Sequence, residues 1–203
     1  KSHYQLDDQE VKLLYVGRIS REKNLGLLVQ AFREVEKQRL NVRLILVGDG
    51  PYRKEMQEEL QECRALFVGE LTGDALAEAY ASSDLFVFPS STDTFGTVVL
   101  EAQASGIPVI VTDKGGPGEN LEAARSGIIV PAENAGALSE AIIALCSQPQ
   151  KLDRMKKAAR QYMESRSFDA AFLKTWQCYK EKTPFEPIFT SGHSAEQRLD
   201  LAS

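Results

Sequence analysis

Two carboxylates stand eight residues apart in the segment Ser90-Ser91-Thr92-Asp93-Thr94-Phe95-Gly96-Thr97-Val98-Val99-Leu100-Glu101. Gly96 and Thr97 open a helical pattern, and the free N–H groups of such a start suit an anion. Asp93 lies rather too far ahead of Thr97 to act as a simple N-cap. Glu101 falls four residues after Thr97, on the same helix face, where a carboxylate accepts hydrogen bonds from vicinal hydroxyls such as those of a ribose. The plainer reading is a capping Asp and a solvated Glu. A second segment, Gly17-Arg18-Ile19-Ser20-Arg21-Glu22-Lys23, carries cations. Arg18 can grip a diphosphate bidentately and Lys23 can neutralise it. With Arg21 and Glu22 beside them, solvated surface charge is the alternative there.

Both segments follow short apolar runs. Val11–Val16, Val42–Val47, Ala65–Val68, Leu85–Phe88, Pro108–Val111 and Ile128–Val130 are rich in branched residues, and most are bounded by Gly or Pro, the pattern of buried strands. Between them, Leu25, Leu28, Val29, Phe32 and Val35 make one apolar stripe at helical spacing. Segments 52–62, 73–82, 97–105 and 134–147 behave likewise. Strands alternating with helices predict an α/β fold: a doubly wound, Rossmann-like parallel sheet of about six strands with helices on both faces. The core is expected over about 10–148. Two C-terminal helices, about 150–165 and 168–181, follow, and residues 183–203 read as a tail because Pro184 and Pro187 break any helix. In such sheets ligands bind beyond the carboxyl ends of the strands. The loops Gly17–Lys23, Gly48–Pro51, Gly69–Thr72, Pro89–Gly96 and Asp113–Gly118 therefore carry the chemistry, with the last shaping the floor of a cleft. Glu119 is a ligand contact or an ordinary helix-starting acid.

Composition narrows the classes. The 203 residues carry 24 Lys and Arg against 29 Asp and Glu, a net charge of −5, which gives no general pull on a nucleic-acid backbone. No apolar run approaches the roughly 20 residues that span a bilayer. The two histidines, His3 and His193, sit near the ends of the chain, which disfavours a Ser-His-Asp triad or a histidine metal site in its body. Cys63, Cys146 and Cys178 are scattered and odd in number, which points to a reducing compartment and to no disulfide framework. A cytoplasmic location is expected, or a peripheral one at the inner membrane face in the full-length protein. The opening Lys1-Ser2-His3-Tyr4 has no initiator Met and no apolar signal segment; a fragment of something longer, or a processed form, is expected.

Across about 170 residues the segments YVGRISREKN, LILVGDGP, LFVGEL, SSDLFVFPSSTDTFGTVVLEAQASGIPVIVTDKGGPGEN and SGIIVP resemble the C-terminal, donor-binding domain of retaining GT-B glycosyltransferases of family 4, the group 1 glycosyltransferases. The stretch from Asp93 to Glu101 resembles that family's Glu-x7-Glu motif. The resemblance implies a nucleotide-sugar donor, a UDP- or GDP-hexose, as substrate with no cofactor. It implies that Gly17, Arg18 and Lys23 hold the diphosphate and Glu101 the ribose. The backbone of Phe95, Gly96, Thr97 and Val98 would meet phosphates and sugar, and the loop with Gly69, Glu70 and Leu71 would frame the base. It makes residues 1–182 the nucleotide-sugar-binding domain and places the acceptor site in an N-terminal domain not contained in this chain; the acceptor, a saccharide or a lipid-linked one, is not named. The first acid of the motif is Asp93 here, one methylene shorter than Glu, at the position expected to touch the transferred sugar. No Asp-x-Asp pair occurs, so no metal is expected. Transfer with retention, through an oxocarbenium-like state with the diphosphate held by the cations, is the implied reaction.

A rival reading keeps the fold as a nucleotide-binding or interaction module without transfer, favoured by Asp93 and disfavoured by the intact Arg18, Lys23 and Glu101. A dinucleotide oxidoreductase is weaker still, because the first loop lacks Gly-x-Gly-x-x-Gly.

Overall fold

The computed structural model describes residues 9–164 and residue 166. The helix expected over 168–181 and the tail 183–203 lie outside the described residues. Six strands form one sheet: β1 (Val11–Val16), β2 (Val42–Val47), β3 (Ala65–Gly69), β4 (Leu85–Phe88), β5 (Val109–Thr112) and β6 (Gly127–Val130). All neighbouring pairs are parallel, in the order β3-β2-β1-β4-β5-β6. The side chains of β1, β2, β4 and β5 are largely buried, as strands sandwiched between helix layers require, while those of the edge strand β3 are half-buried.

The helices are α1 (Leu25–Lys37), α2 (Arg53–Glu59), α3 (Gly73–Ala81), α4 (Thr97–Ala104), α5 (Ala135–Cys146) and α6 (Pro149–Glu164). Right-handed crossovers moving from β1 toward β3 put α1 and α2 on one face; those moving the other way, from β4 to β5, put α4 on the opposite face. α5 packs on α1 and α6 on α4, which completes the two layers. The stripe Leu25, Leu28, Val29, Phe32 and Val35 is buried along α1 as its spacing predicts.

The strand order reverses between β1 and β4. In a doubly wound sheet this switch opens a crevice at the carboxyl ends of those two strands. The loops that leave β1 and β4 are Gly17–Lys23 and Pro89–Gly96, the two segments that carry the charged candidates.

Element bounds moved where local chemistry demanded it. β5 starts at Val109 and not at Pro108, because proline has no N–H for the ladder; its carbonyl still accepts from Phe86 N at 2.9 Å. β6 starts one residue early, at Gly127, which pairs with Val109. α2 is shorter than the segment 52–62, since Tyr52 only caps it and Leu60 leaves helical geometry.

Candidate functional site

The loop after β1 is braced from below. The hydroxyl of buried Tyr15 donates to the Arg18 carbonyl at 3.0 Å, and the Tyr15 ring stacks on Phe88 with centroids 6.2 Å apart. Burial and then the nearby charge of Asp93 push the Tyr15 phenol well above its usual range, so it stays a donor. From the side, Ile19 N donates to the Asp49 carbonyl and Tyr52 N to the Ile19 carbonyl. The loop ends in a 3-10 turn, Arg21–Lys23, and Asn24 in left-handed geometry (φ 55°) swings the chain into α1.

Three consecutive residues of this loop are laced to three of the loop after β4. The Thr92 hydroxyl donates to the Glu22 carbonyl at 3.3 Å, and Asn24 Nδ2 donates to Ser91 Oγ at 2.9 Å. Between them, Lys23 Nζ donates to both Asp93 oxygens at 2.9 Å. Both charged side chains are largely shielded, at 21% and 24% exposure. The residue read as a phosphate ligand and the residue read as a sugar ligand thus touch each other across the crevice. Arg18 stands exposed; among the described residues its guanidinium makes only a long contact of 3.9 Å to Glu22 and retains most of its donors for a ligand.

The β4 loop is held from the other side by residues 115–120, which end in a 3-10 turn, Pro117–Asn120. Gly116 N donates to the Asp93 carbonyl at 2.9 Å, and Asn120 Nδ2 donates to the Phe95 carbonyl. A Cβ on Gly116 would lie 1.8 Å from the Thr94 carbonyl oxygen, so only glycine permits this approach. Asn120 is buried, and its own carbonyl accepts from the buried Gln103 of α4. No cis peptide occurs among the described residues. In a trans peptide the carbonyl and the following N–H point opposite ways. Tying down the Asp93 and Phe95 carbonyls therefore turns the N–H groups of Thr94 and Gly96 away from the 3-10 turn. Gly96, at φ 71°, then starts α4. Among the described residues the amides of Thr94, Phe95, Gly96, Thr97 and Val98 find no acceptor, and they form a row of donors for an anion. Phe95 is 57% exposed, with its ring in solvent while its carbonyl is fixed.

Glu101 is one turn into α4, exposed, and its Oε2 accepts from the buried Tyr80 hydroxyl at 2.8 Å. Gly69 ends β3, and its carbonyl accepts from Gly48 N at 2.7 Å. Glu70 is exposed and Leu71 half-buried beyond it, on the same edge of the sheet but two strands from β1. Glu119 sits exposed in the second 3-10 turn. Among the described residues no group of three or more His, Cys, Asp and Glu side chains is placed to hold a metal ion, and no helix is long and apolar enough to cross a membrane.

Cations, a row of amides and carboxylates lie on one sheet edge, an arrangement fit for a ligand with an anionic centre and hydroxyl groups. Residues 1–162 match the family described as glycosyl transferases group 1. The chain belongs to that family. It is 34% identical over 165 residues to a sulfoquinovosyl transferase of Arabidopsis thaliana, covering 80% of this chain and 32% of that protein. It is 44% identical over 117 residues to a GDP-mannose-dependent alpha-mannosyltransferase of Mycolicibacterium smegmatis, covering 57% of this chain and 29% of that protein. The solved sucrose-phosphate synthase of Thermosynechococcus elongatus superposes with a TM-score of 0.75 at 30% identity, covering 87% of this chain and 46% of that one. The chain spans about a third of the length of these two curated relatives.

Within this group 1 glycosyltransferase domain, the structure brings Lys23 and Asp93 together and sets the Phe95–Val98 amides beside them. It places Arg18 on the same loop as Lys23. Sequence reasoning missed Tyr80, Asn24, Ser91 and Asn120, whose partners lie 17 or more residues away. For Asn120 a signal existed: it follows the glycines of the segment read as the cleft floor.

Proposed function

We propose that this chain is the nucleotide-sugar-binding half of a metal-independent, retaining glycosyltransferase that transfers a hexose from a UDP- or GDP-sugar. Residues 1–182 form the donor domain, and an N-terminal domain supplies the acceptor site. The observation that carries this reading is the cross-crevice contact of Lys23 with Asp93 beside five amides that find no acceptor among the described residues.

Lys23 has three N–H donors, and its bonds to the two Asp93 oxygens leave at least one of them for the diphosphate. An ionised carboxylate offers about four lone-pair positions, and those of Asp93 not used by Lys23 remain for hydroxyls of the sugar. The pair so described bridges phosphate and sugar. Arg18 closes on the diphosphate from its exposed position, and Glu101 accepts from the ribose. Gly69, Glu70 and Leu71 border the base.

In the transfer, the bond from the anomeric carbon to the diphosphate oxygen breaks, and its electron pair leaves with the diphosphate. A bond forms to the acceptor hydroxyl oxygen on the same face, and the O–H bond there breaks, its proton passing to the departing diphosphate oxygen. Negative charge grows on the leaving group, where Lys23, Arg18 and the amide row stand ready. Each charge-assisted hydrogen bond contributes about 1.5–3 kcal/mol, and the helix end adds about 0.3–1 kcal/mol. These groups do the work a divalent ion would do.

The test is transfer by the full-length protein with and without chelator. Turnover that persists in EDTA with retained anomeric configuration is expected. Loss in EDTA with rescue by Mn²⁺ would contradict metal independence, and an inverted product would contradict retention.

A further inference from the structure

The contact between Tyr80 and Glu101 assigns a task to a residue that otherwise reads as core. Tyr80 closes α3 and Glu101 stands one turn into α4, on either side of β4 in the chain. Tyr80 is 3% exposed, and its ring lies 6.0 Å from that of Phe86 on β4. Its hydroxyl donates to Glu101 Oε2 at 2.8 Å. The direction is fixed, because an ionised carboxylate only accepts. Burial, and then the Glu101 carboxylate itself, hold the phenol proton well beyond its ordinary range, so the donor persists over the whole working pH.

The geometry suits orientation. In a helix the Cα–Cβ bond tilts toward the N-terminus, so Glu101 leans back toward the free amides of Gly96, Thr97 and Val98. An exposed glutamate otherwise samples many rotamers, and fixing one of them has an entropic cost. Tyr80 is rigid and takes one oxygen. On this exposed side chain that leaves Oε1, which has no donor among the described residues, and one lone pair of Oε2, a two-point acceptor for a pair of vicinal hydroxyls.

We infer that Tyr80 is a positioning residue: its hydroxyl presets the Glu101 carboxylate to accept the 2′- and 3′-hydroxyls of the donor nucleotide. The inference rests on the donor-site reading above.

The experiment titrates the chain calorimetrically with UDP and GDP and with their 2′,3′-dideoxy counterparts. Tyr80→Phe keeps the ring packing and removes only the hydroxyl. It should weaken whichever ribonucleotide binds by about 3–10-fold, the worth of one net hydrogen bond. It should leave the dideoxy nucleotide unchanged. In the Glu101→Ala background the same substitution should have no effect on either ligand. Parent-like affinity of Tyr80→Phe for the ribonucleotide would overturn the inference alone, as would an equal loss for ribo- and dideoxynucleotide, the mark of a purely structural role. A parent chain that binds neither nucleotide, or does not distinguish ribo from dideoxy, would overturn the donor-site reading with it.

Discussion

Asp93 and Glu101 look alike in sequence but are held differently. Asp93 faces Lys23 across the crevice at 2.9 Å, whereas Glu101 is exposed and backed by Tyr80. Glu101→Ala should weaken UDP or GDP by about 1–3 kcal/mol, the loss of charge-assisted contacts to the ribose. Asp93→Ala should change that affinity by less than about threefold. It removes the contact that orients Lys23 but also a negative charge beside the diphosphate, and the two effects oppose. In the full-length protein Asp93→Ala should lower turnover, because its proposed contact lies beside the reacting carbon. Asp93→Glu probes the missing methylene: a longer side chain must displace either Lys23 or the sugar, so activity should fall. Equal loss of nucleotide affinity in the Asp93→Ala and Glu101→Ala chains would refute the division of roles. The residue types and their spacing were readable from sequence. The Lys23 contact was not, because the two residues are 70 positions apart and no periodicity links them.

At the scale of elements, a rigid backing fixes the loop after β4, where the phosphate contact is proposed. Asn120 fixes the Phe95 carbonyl and is itself held by Gln103. Asn134 caps α5 by accepting from Ala137 N at 2.9 Å, with no tie to the β4 loop. Asn134→Ala should cost about 1 kcal/mol in urea unfolding and leave nucleotide affinity intact. Asn120→Ala strands a carbonyl; it should cost about 1–3 kcal/mol of stability and also weaken UDP or GDP severalfold. Parent-like nucleotide affinity in Asn120→Ala would show that the loop holds its shape without this clamp. Strands were legible to within a residue, since runs such as Val11–Val16 and Leu85–Phe88 are bounded by polar residues, Gly or Pro. Helix ends were less so. α2 is the case in point: its short amphipathic pattern stops at Glu59, where Leu60 leaves the helix to bury itself.

At the scale of the molecule, the packing of helices on the sheet buries, wholly or in part, groups that titrate only in alkali. Burial, with a smaller contribution from Asp84, pushes the Cys146 thiol up to about 12. Tyr15, Tyr52 and Tyr80 are also raised, chiefly by burial. In each case the unfolded chain releases its proton first, so the native state binds more protons as pH rises. The contribution of these groups to stability is therefore full below about pH 8.5 and falls above it as thiol and then phenols ionise in the unfolded chain. Thermal unfolding from pH 7 to 11 should show this decline, and Cys146→Ser should flatten its first part; a flat profile would contradict the burial. The doubly wound order was implied by alternating strands and helices, but the switch between β1 and β4 became visible only in the assembled sheet, where it puts the two charged loops side by side. That juxtaposition is the central claim, and nucleotide binding tests it most directly. Calorimetric titration with UDP and with GDP should give a dissociation constant between about 10 µM and 1 mM for at least one of them, weakened at least about tenfold by Lys23→Ala through loss of a charged contact. No heat with either nucleotide at millimolar concentration, or binding that Lys23→Ala leaves unchanged, would contradict it.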